Sequence, residues 1–70
     1  MNDRQYYETT FNGITLQSSV IKLGEHMYQL NVNSLDQAGM PHSYFRKNYP
    51  SEQTAMDGMK KLFGDDWKVI

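Results

Sequence analysis

Residues 49–64 read YPSEQTAMDGMKKLFG, and this stretch contains the start, the apolar face and the end of one α-helix. Ser51 follows Pro50 and offers its hydroxyl as the N-cap, and Gly64 suits a left-handed helix exit. Between these ends, apolar residues recur at helical spacing and polar residues take the opposite side. The apolar residues are Ala55, Met56, Met59, Leu62 and Phe63. The pattern predicts one amphipathic helix that covers a sheet, and Gly58 is predicted to let the helix approach that sheet closely.

The segment 27–33 alternates more regularly than any other part of the chain, which places two sets of side chains on opposite faces of a strand. The set that faces the helix is Tyr28, Leu30 and Val32, and the set that faces away is Gln29, Asn31 and Asn33. In the segment 14–23, Ile14 and Leu16 are out of phase with Ile21 and Leu23. A β-bulge near Ser18 or Ser19 would return all four to one face, so we predict a bulge there.

A third strand, 42–49, follows a loop in which Gly39 suits positive φ and Pro41 suits the start of an edge strand. We predict that its inward side chains are Ser43, Phe45, Lys47 and Tyr49, and that its outward ones are His42, Tyr44, Arg46 and Asn48. The reverse assignment would bury Tyr44 in place of Phe45.

Strands joined by short turns pair antiparallel. The chain is therefore predicted to be one α+β domain over residues 1–70, a three-stranded antiparallel meander packed on one C-terminal helix (β-β-β-α). Residues 65–70 are expected to fold back on the core, with room for a short C-terminal strand, and residues 1–12 form either an irregular arm or a strand extension. The predicted core is Ile14, Leu16, Ile21, Leu23, Tyr28, Leu30, Val32 and Phe45 against the apolar side of the helix.

Composition limits the class of protein. The chain has 70 residues, a formal net charge of −1 and no cysteine, so it must fold around one small core without disulfide or thiolate support. Its polar start, residues 1–5, is not followed by an apolar run, which argues against a signal peptide or a membrane span. We expect a cytoplasmic protein with no membrane contact.

Residues that carry chemistry are sparse. His26 and His42 are the only histidines, and the predicted meander places them at opposite ends of the sheet, so no metal site is expected. No serine lies in a motif with a histidine and an acid, and the glycines are dispersed rather than clustered as in a phosphate loop. We predict a non-enzyme without a cofactor or a metal.

The polar face of the sheet is the candidate binding surface. Its predicted members are Gln29, Asn31, Asn33, Tyr44 and Arg46. Tyrosine and arginine are enriched at interface hot spots, and amides form directional hydrogen bonds. The alternative is that these side chains only solvate the outer face of a one-sided sheet.

Another protein is the favoured partner. Nucleic acid is a second option that the near-neutral charge disfavours, although the strand and helix order resembles the sheet-reading DNA-binding domains of tyrosine integrases and plant AP2-type proteins. A homodimer through an edge strand, 14–23 or 42–49, is a third option.

Three segments, 13–16, 28–32 and 44–46, followed by the capped helix, carry one family resemblance. Their sequences are GITL, YQLNV and YFR. In spacing they are similar to a class of short uncharacterised proteins encoded by bacterial prophages, over residues 13–63. The resemblance implies this fold and an accessory protein of bacterial or phage origin that binds a host or phage macromolecule.

Overall fold

The computed structural model describes residues 5–70 and has an α+β fold with one antiparallel sheet and one helix. In chain order the elements are β1 (Tyr6–Phe11), β2 (Ile14–Gly24), β3 (Met27–Leu35), β4 (Pro41–Tyr49), α1 (Glu52–Phe63) and β5 (Lys68–Val69). The strand order across the sheet is β4-β3-β2-β1-β5. The predicted meander is β2 to β4, and its packing on a C-terminal helix is confirmed. The sheet also extends beyond it, because β1 and β5 lie next to β2 on the far side.

Of the two alternatives predicted for residues 1–12, an irregular arm or a strand extension, the structure has a strand at Tyr6–Phe11. Each of the six residues of β1 pairs with β2, and the two strands are joined by Asn12 and Gly13. These turn residues have φ of 51° and 79°, and positive φ at both central positions defines the two-residue hairpin turn that Asn-Gly favours. Residues 1–4 of the predicted arm lie outside the described residues. Since β1 covers its other side, β2 is interior, and its prediction as an edge strand is wrong.

The predicted short C-terminal strand is confirmed. Val69 pairs with Tyr7 and Lys68 pairs with Glu8, so β5 extends the sheet beside β1. The Ile70 N–H also donates to the Tyr6 carbonyl at 3.0 Å. The tail therefore forms a short edge strand beside the first part of β1.

The predicted bulge near Ser18 or Ser19 is wrong. Strand β2 pairs with β3 without interruption from Thr15 to Lys22, and the irregularity falls between Lys22 and Gly24. Val20, rather than Ile21, consequently faces the helix. A serine can occupy the middle of this interface because the buried Ser18 hydroxyl donates to the Met59 sulfur at 2.9 Å.

A bulge that the sequence did not indicate lies in β4. Phe45 pairs with Val32 and Ser43 pairs with Asn33, which leaves Tyr44 as the extra residue between them. A bulge of this kind turns two consecutive side chains toward the same side. The bulge also shifts Ser43 to the face away from the helix and His42, which pairs with Ser34, to the helix face, so the predicted inward position of Ser43 and the predicted outward position of His42 are both wrong.

The ring contacts agree with that geometry. The ring centroids of Tyr44 and Phe45 lie 5.9 Å and 5.6 Å from that of Phe63 in α1. Tyr44 therefore faces the helix side, and its predicted outward position is wrong. Further along the strand, Lys47 pairs with Leu30, so the predicted inward side of this part is confirmed.

Helix α1 begins and ends as predicted. The Thr54 N–H donates to the Ser51 hydroxyl at 3.1 Å, and the Ser51 N–H donates to the Thr54 hydroxyl at 3.2 Å, so two of the otherwise unpaired groups at the helix start are satisfied. Gly64 ends the helix with a φ of 86°.

The core lies between α1 and the middle of the sheet. Its buried apolar residues are Leu16, Leu30, Val32, Ala55, Met59 and Phe63, all of which were predicted. Other predicted core residues lie at the surface, since Ile14 is 37% exposed, Leu23 53% and Leu62 46%. The core is smaller than predicted and is completed by partly buried aromatic rings, among them Trp67 edge-on to Phe63.

Candidate functional site

Helix α1 packs on one face of the sheet, and in residues 5–70 no other helix covers the opposite face, which we call the open face. Strand alternation and register place the following residues there: Tyr6, Glu8 and Thr10 from β1, Thr15, Gln17, Ser19 and Ile21 from β2, Gln29, Asn31, Asn33 and Leu35 from β3, Ser43, Arg46 and Asn48 from β4, and Lys68 from β5. The open face is thus polar over most of its area.

Four of the five predicted site residues lie together on the open face. Asn31 pairs directly with Arg46 on β4, and Gln29 and Asn33 are its neighbours on β3, two residues away in each direction. Tyr44 is the exception, because the bulge in β4 turns its ring toward Phe63 on the helix side.

One line of paired residues crosses the open face from β1 to β4. Tyr6 pairs with Ser19, Ser19 with Asn31, and Asn31 with Arg46. We call these four residues the transverse row. Its two ends are exposed, whereas Ser19 and Asn31 in the middle are only 6% and 8% exposed.

Sequence reasoning missed two members of the transverse row, Tyr6 and Ser19. Tyr6 supplies the aromatic side chain that had been assigned to Tyr44. The available signal was the Asn12-Gly13 dipeptide, because a two-residue hairpin fixes the register of β1 on β2 and so places Tyr6 beside Ser19.

The contact between Arg46 and Asn31 organises the centre of the row. The Arg46 Nε donates to the Asn31 Oδ1 at 2.6 Å, which fixes the orientation of the amide. The Asn31 Nδ2 is then buried without a hydrogen-bond partner among the described residues. An unpaired buried donor costs about 1–3 kcal/mol, so this arrangement is not the most stable one available to a solvated sheet surface.

A second polar row runs beside the first. Glu8 pairs with Gln17, Gln17 with Asn33, and Asn33 with Ser43. The Gln17 amide donates to the Glu8 carboxylate at 3.0 Å. Among the described residues, the open face carries the charged side chains of Glu8, Arg46 and Lys68, the last of which pairs with Glu8, so it has one more positive than negative charge.

Comparisons of the chain with protein-family models, with curated proteins and with solved structures found no match.

The two histidines lie apart from the open-face centre. His26 is in the turn between β2 and β3, and His42 forms a 2.9 Å ion pair with Asp36 in the loop before β4. In that loop, Gly39 has the predicted positive φ, with a value of 81°. The hydrogen bond from His42, followed by those from the backbone N–H groups of Met40 and Ala38, holds the pKa of Asp36 below its ordinary value.

Residues 5–70 contain no group of three or more histidine, aspartate or glutamate side chains placed to hold one metal ion. A cleft of about 490 Å³ at the β1–β5 edge includes Glu8, Asp65 and Asp66, and Thr9 closes one side by donating to the Asp66 carbonyl at 3.2 Å. Within the described residues, no helix combines the length and the apolar character that a membrane span requires.

Proposed function

We propose that this chain is a small non-catalytic binding protein that contacts another protein through the open face, with Arg46 and Asn31 at the centre of the contact. The observation that carries the proposal is the Arg46–Asn31 hydrogen bond on the open face, which leaves the Asn31 Nδ2 donor buried and without a hydrogen-bond partner among residues 5–70.

Solvation alone does not account for this centre. An exposed polar face requires polar side chains in contact with water, but Ser19 and Asn31 are more than nine-tenths buried. Their position between exposed Tyr6 and Arg46 has the layout of an interface centre, in which a few tyrosine and arginine side chains contribute most of the binding energy.

The chemistry of the row favours a partner that offers hydrogen-bond acceptors. The Arg46 Nε donates the hydrogen bond to Asn31. The two terminal nitrogens of the guanidinium are not part of that bond. A backbone carbonyl or a carboxylate could accept from them, and a side-chain shift at Arg46 would bring the Asn31 Nδ2 to the same acceptor. A folded protein surface supplies both kinds of group.

Nucleic acid is the second candidate, because arginine and asparagine on a sheet are residue types that read base edges. The open face has a surplus of only one positive charge and the chain has a net charge of −1, which favours a protein, since binding to phosphates requires a larger surplus of cations. The prophage resemblance, the bacterial or phage origin and the cytoplasmic location remain predictions. Together they would make the partner a host or phage protein.

The test compares Arg46→Ala with Lys60→Ala, a matched loss of one positive charge on exposed helix surface. Both variants are used as bait in affinity capture from cells of the source organism, after amide NMR spectra establish that each is folded. We expect a partner that is retained by the wild-type protein and by Lys60→Ala and is lost with Arg46→Ala. Equal retention by both variants would contradict the proposal.

A titration of the labelled protein with a short DNA duplex at low salt addresses the second candidate. Chemical-shift changes that are confined to the amides of Gln29, Asn31 and Arg46 and become smaller as salt is raised would favour nucleic acid over a protein as the partner. Unchanged spectra would leave the protein partner as the proposal.

A further inference from the structure

Strand β4 forms one outer edge of the sheet, and among the described residues it pairs with β3 alone. About half of the backbone N–H and C=O groups of an edge strand point away from its neighbour and can pair with another chain. The bulge at Tyr44 interrupts the first half of β4. From Phe45 to Tyr49 the pairing with β3 is regular, so the outer side of this part presents a regular row of backbone groups.

A groove of about 400 Å³ runs between this edge and α1. Lys47 and Tyr49 line it on the strand side, and Gly58, Lys61 and Leu62 line it on the helix side. Gly58 leaves space in the helix wall that Tyr49 occupies, and Leu62 is an apolar side chain that is 46% exposed. A strand added beside β4 would direct every second side chain into this groove.

The charge of the edge selects the occupant. Strand β4 contains Arg46, Lys47 and His42 and no acidic residue, although the chain as a whole has a net charge of −1. Lys61 adds a second lysine to the groove across from Lys47. The one ion pair within residues 5–70 is His42–Asp36, so neither lysine has a carboxylate partner there.

One carboxylate, Asp57, also lines the groove, and it accepts a hydrogen bond from the Gln53 amide at 2.9 Å. Lys47 lies over the Tyr49 ring, with its Nζ 5.4 Å from the ring centroid. With two lysines and one aspartate, the groove has a net positive charge.

We propose that the outer edge of β4 binds an extended acidic segment of another protein as an added strand, with alternate side chains in the groove between β4 and α1. This surface adjoins the open face at Arg46 and Asn48, but it consists of the backbone edge of β4 and the groove on the helix side, so the proposal extends the function proposed above and does not depend on it. Main-chain hydrogen bonds to β4 would give affinity, and the lysines and Leu62 would select acidic and apolar side chains.

A second copy of this chain fits the same edge less well. Antiparallel pairing of β4 with itself about the middle of its regular part would set Lys47 of one copy directly opposite Lys47 of the other. Like charges directly opposite each other on neighbouring strands are destabilising. An acidic segment replaces that repulsion with attraction, because acidic side chains at alternate positions of an added strand would meet Lys47 and Lys61 in the groove.

The experiment titrates the labelled protein with an eight-residue peptide of alternating glutamate and valine. The control is the same peptide with lysine in place of glutamate. We expect amide shifts from Phe45 to Tyr49 and at Gly58, and at least tenfold weaker binding of the lysine peptide. A version of the acidic peptide with alternate N-methylated residues should bind at least tenfold more weakly, since it lacks the donors of an added strand.

Two charge-reversal variants complete the test. Lys47→Glu should lower the affinity for the acidic peptide at least tenfold and raise the affinity for the lysine peptide. Lys60→Glu, an equal charge change outside the groove, should change neither affinity by more than twofold. Equal binding of the two peptides, shifts centred on the transverse row, or β4 shifts that follow protein concentration without peptide would each overturn the proposal. The last result would assign the edge to a homodimer, and binding that is undisturbed by N-methylation would exclude strand addition.

Discussion

The Tyr49 side chain lies against Gly58, at the point where the last residue of β4 faces α1. A Cβ atom at Gly58 would lie 2.7 Å from the Tyr49 Cζ and 2.9 Å from its Cε2, closer than non-bonded carbon atoms approach. Gly58 was predicted to let the helix approach the sheet closely, and the space that its missing side chain leaves is filled by the Tyr49 side chain.

This contact determines the sign of the effect of Gly58→Ala. Alanine in a helix interior is favoured over glycine by about 0.5–1 kcal/mol, but here the new methyl group must displace the Tyr49 ring. Overpacking usually costs about 1–3 kcal/mol, so we expect a net loss of about 1–2 kcal/mol after the gain in helix propensity. In a Tyr49→Ser background the same substitution should stabilise the protein. Urea denaturation of the four proteins measures the coupling, and purely additive effects would contradict the contact.

The buried Ser18–Met59 hydrogen bond gives a second prediction. Met59→Leu nearly conserves volume, a change that usually costs under about 1.5 kcal/mol, but it also removes the acceptor of the Ser18 hydroxyl. We expect a total loss of about 2–3 kcal/mol, most of it from the unpaired hydroxyl. Adding Ser18→Ala should restore part of the stability. If the double variant is less stable than Met59→Leu alone, the hydrogen bond is not the reason for the loss.

The hairpin between β1 and β2 depends on Gly13. Its φ of 79° lies in the left-handed region, where a residue with a Cβ costs about 1–2 kcal/mol. Gly13→Ala should lower Tm by at least about 4 °C, given about 4–8 °C per kcal/mol for a domain of this size. Gly24→Ala is the control, since Gly24 has no such φ and its added Cβ meets open space. Thermal melts should separate the two variants, and equal Tm values would contradict the turn.

Asn31 and Leu30 are adjacent in β3 but lie on opposite faces of the sheet. Leu30→Ala removes a fully buried core side chain and should cost about 2–5 kcal/mol. Asn31→Ala removes the acceptor of Arg46 together with the unpaired Nδ2 donor, so these effects offset each other and the net change should be within about 1 kcal/mol. Chemical denaturation compares them. A loss at Asn31 as large as that at Leu30 would show that the open face is structural.

Acid weakens the loop before β4. Because the folded-state pKa of Asp36 lies below the unfolded value of 3.8, its charged form adds stability above that pH, and this contribution is lost as the pH falls through the folded-state pKa. Asp36→Asn retains an acceptor for the loop N–H groups but does not titrate. The variant should be less stable than wild type near neutral pH, and the gap should close below pH 3.8. Denaturation curves at several pH values measure this gap, and a constant gap would contradict the assignment.

The helix and β3 could be predicted from sequence because their signals are local. Ser51 and Gly64 mark the helix ends, and strict alternation marks β3. The error in β2 arose because two isoleucines were expected to share a face, whereas the structure keeps the strand regular and satisfies Ser18 with a sulfur acceptor. A hydrogen bond between residues 41 positions apart has no local signal in the sequence.

The candidate site was predicted in part for the same reason. Gln29, Asn31 and Asn33 follow from the alternation of one strand. The pairing of Arg46 with Asn31 depends on register, and the loss of Tyr44 depends on a bulge that no turn residue marks. Tyr6 could have been found, since the Asn12-Gly13 dipeptide is a strong hairpin signal.

The 3.0 Å hydrogen bond between Ile70 and Tyr6 also determines how the molecule would respond to force. Because β5 runs antiparallel to β1, the chain enters and leaves the sheet side by side at these two residues. A load applied between them would act along the interstrand hydrogen bonds, which lie perpendicular to the strands. The bonds would open one after another, as in a zipper. The two-residue β5 should therefore detach at low force while the remaining four strands still pack with α1 around the core.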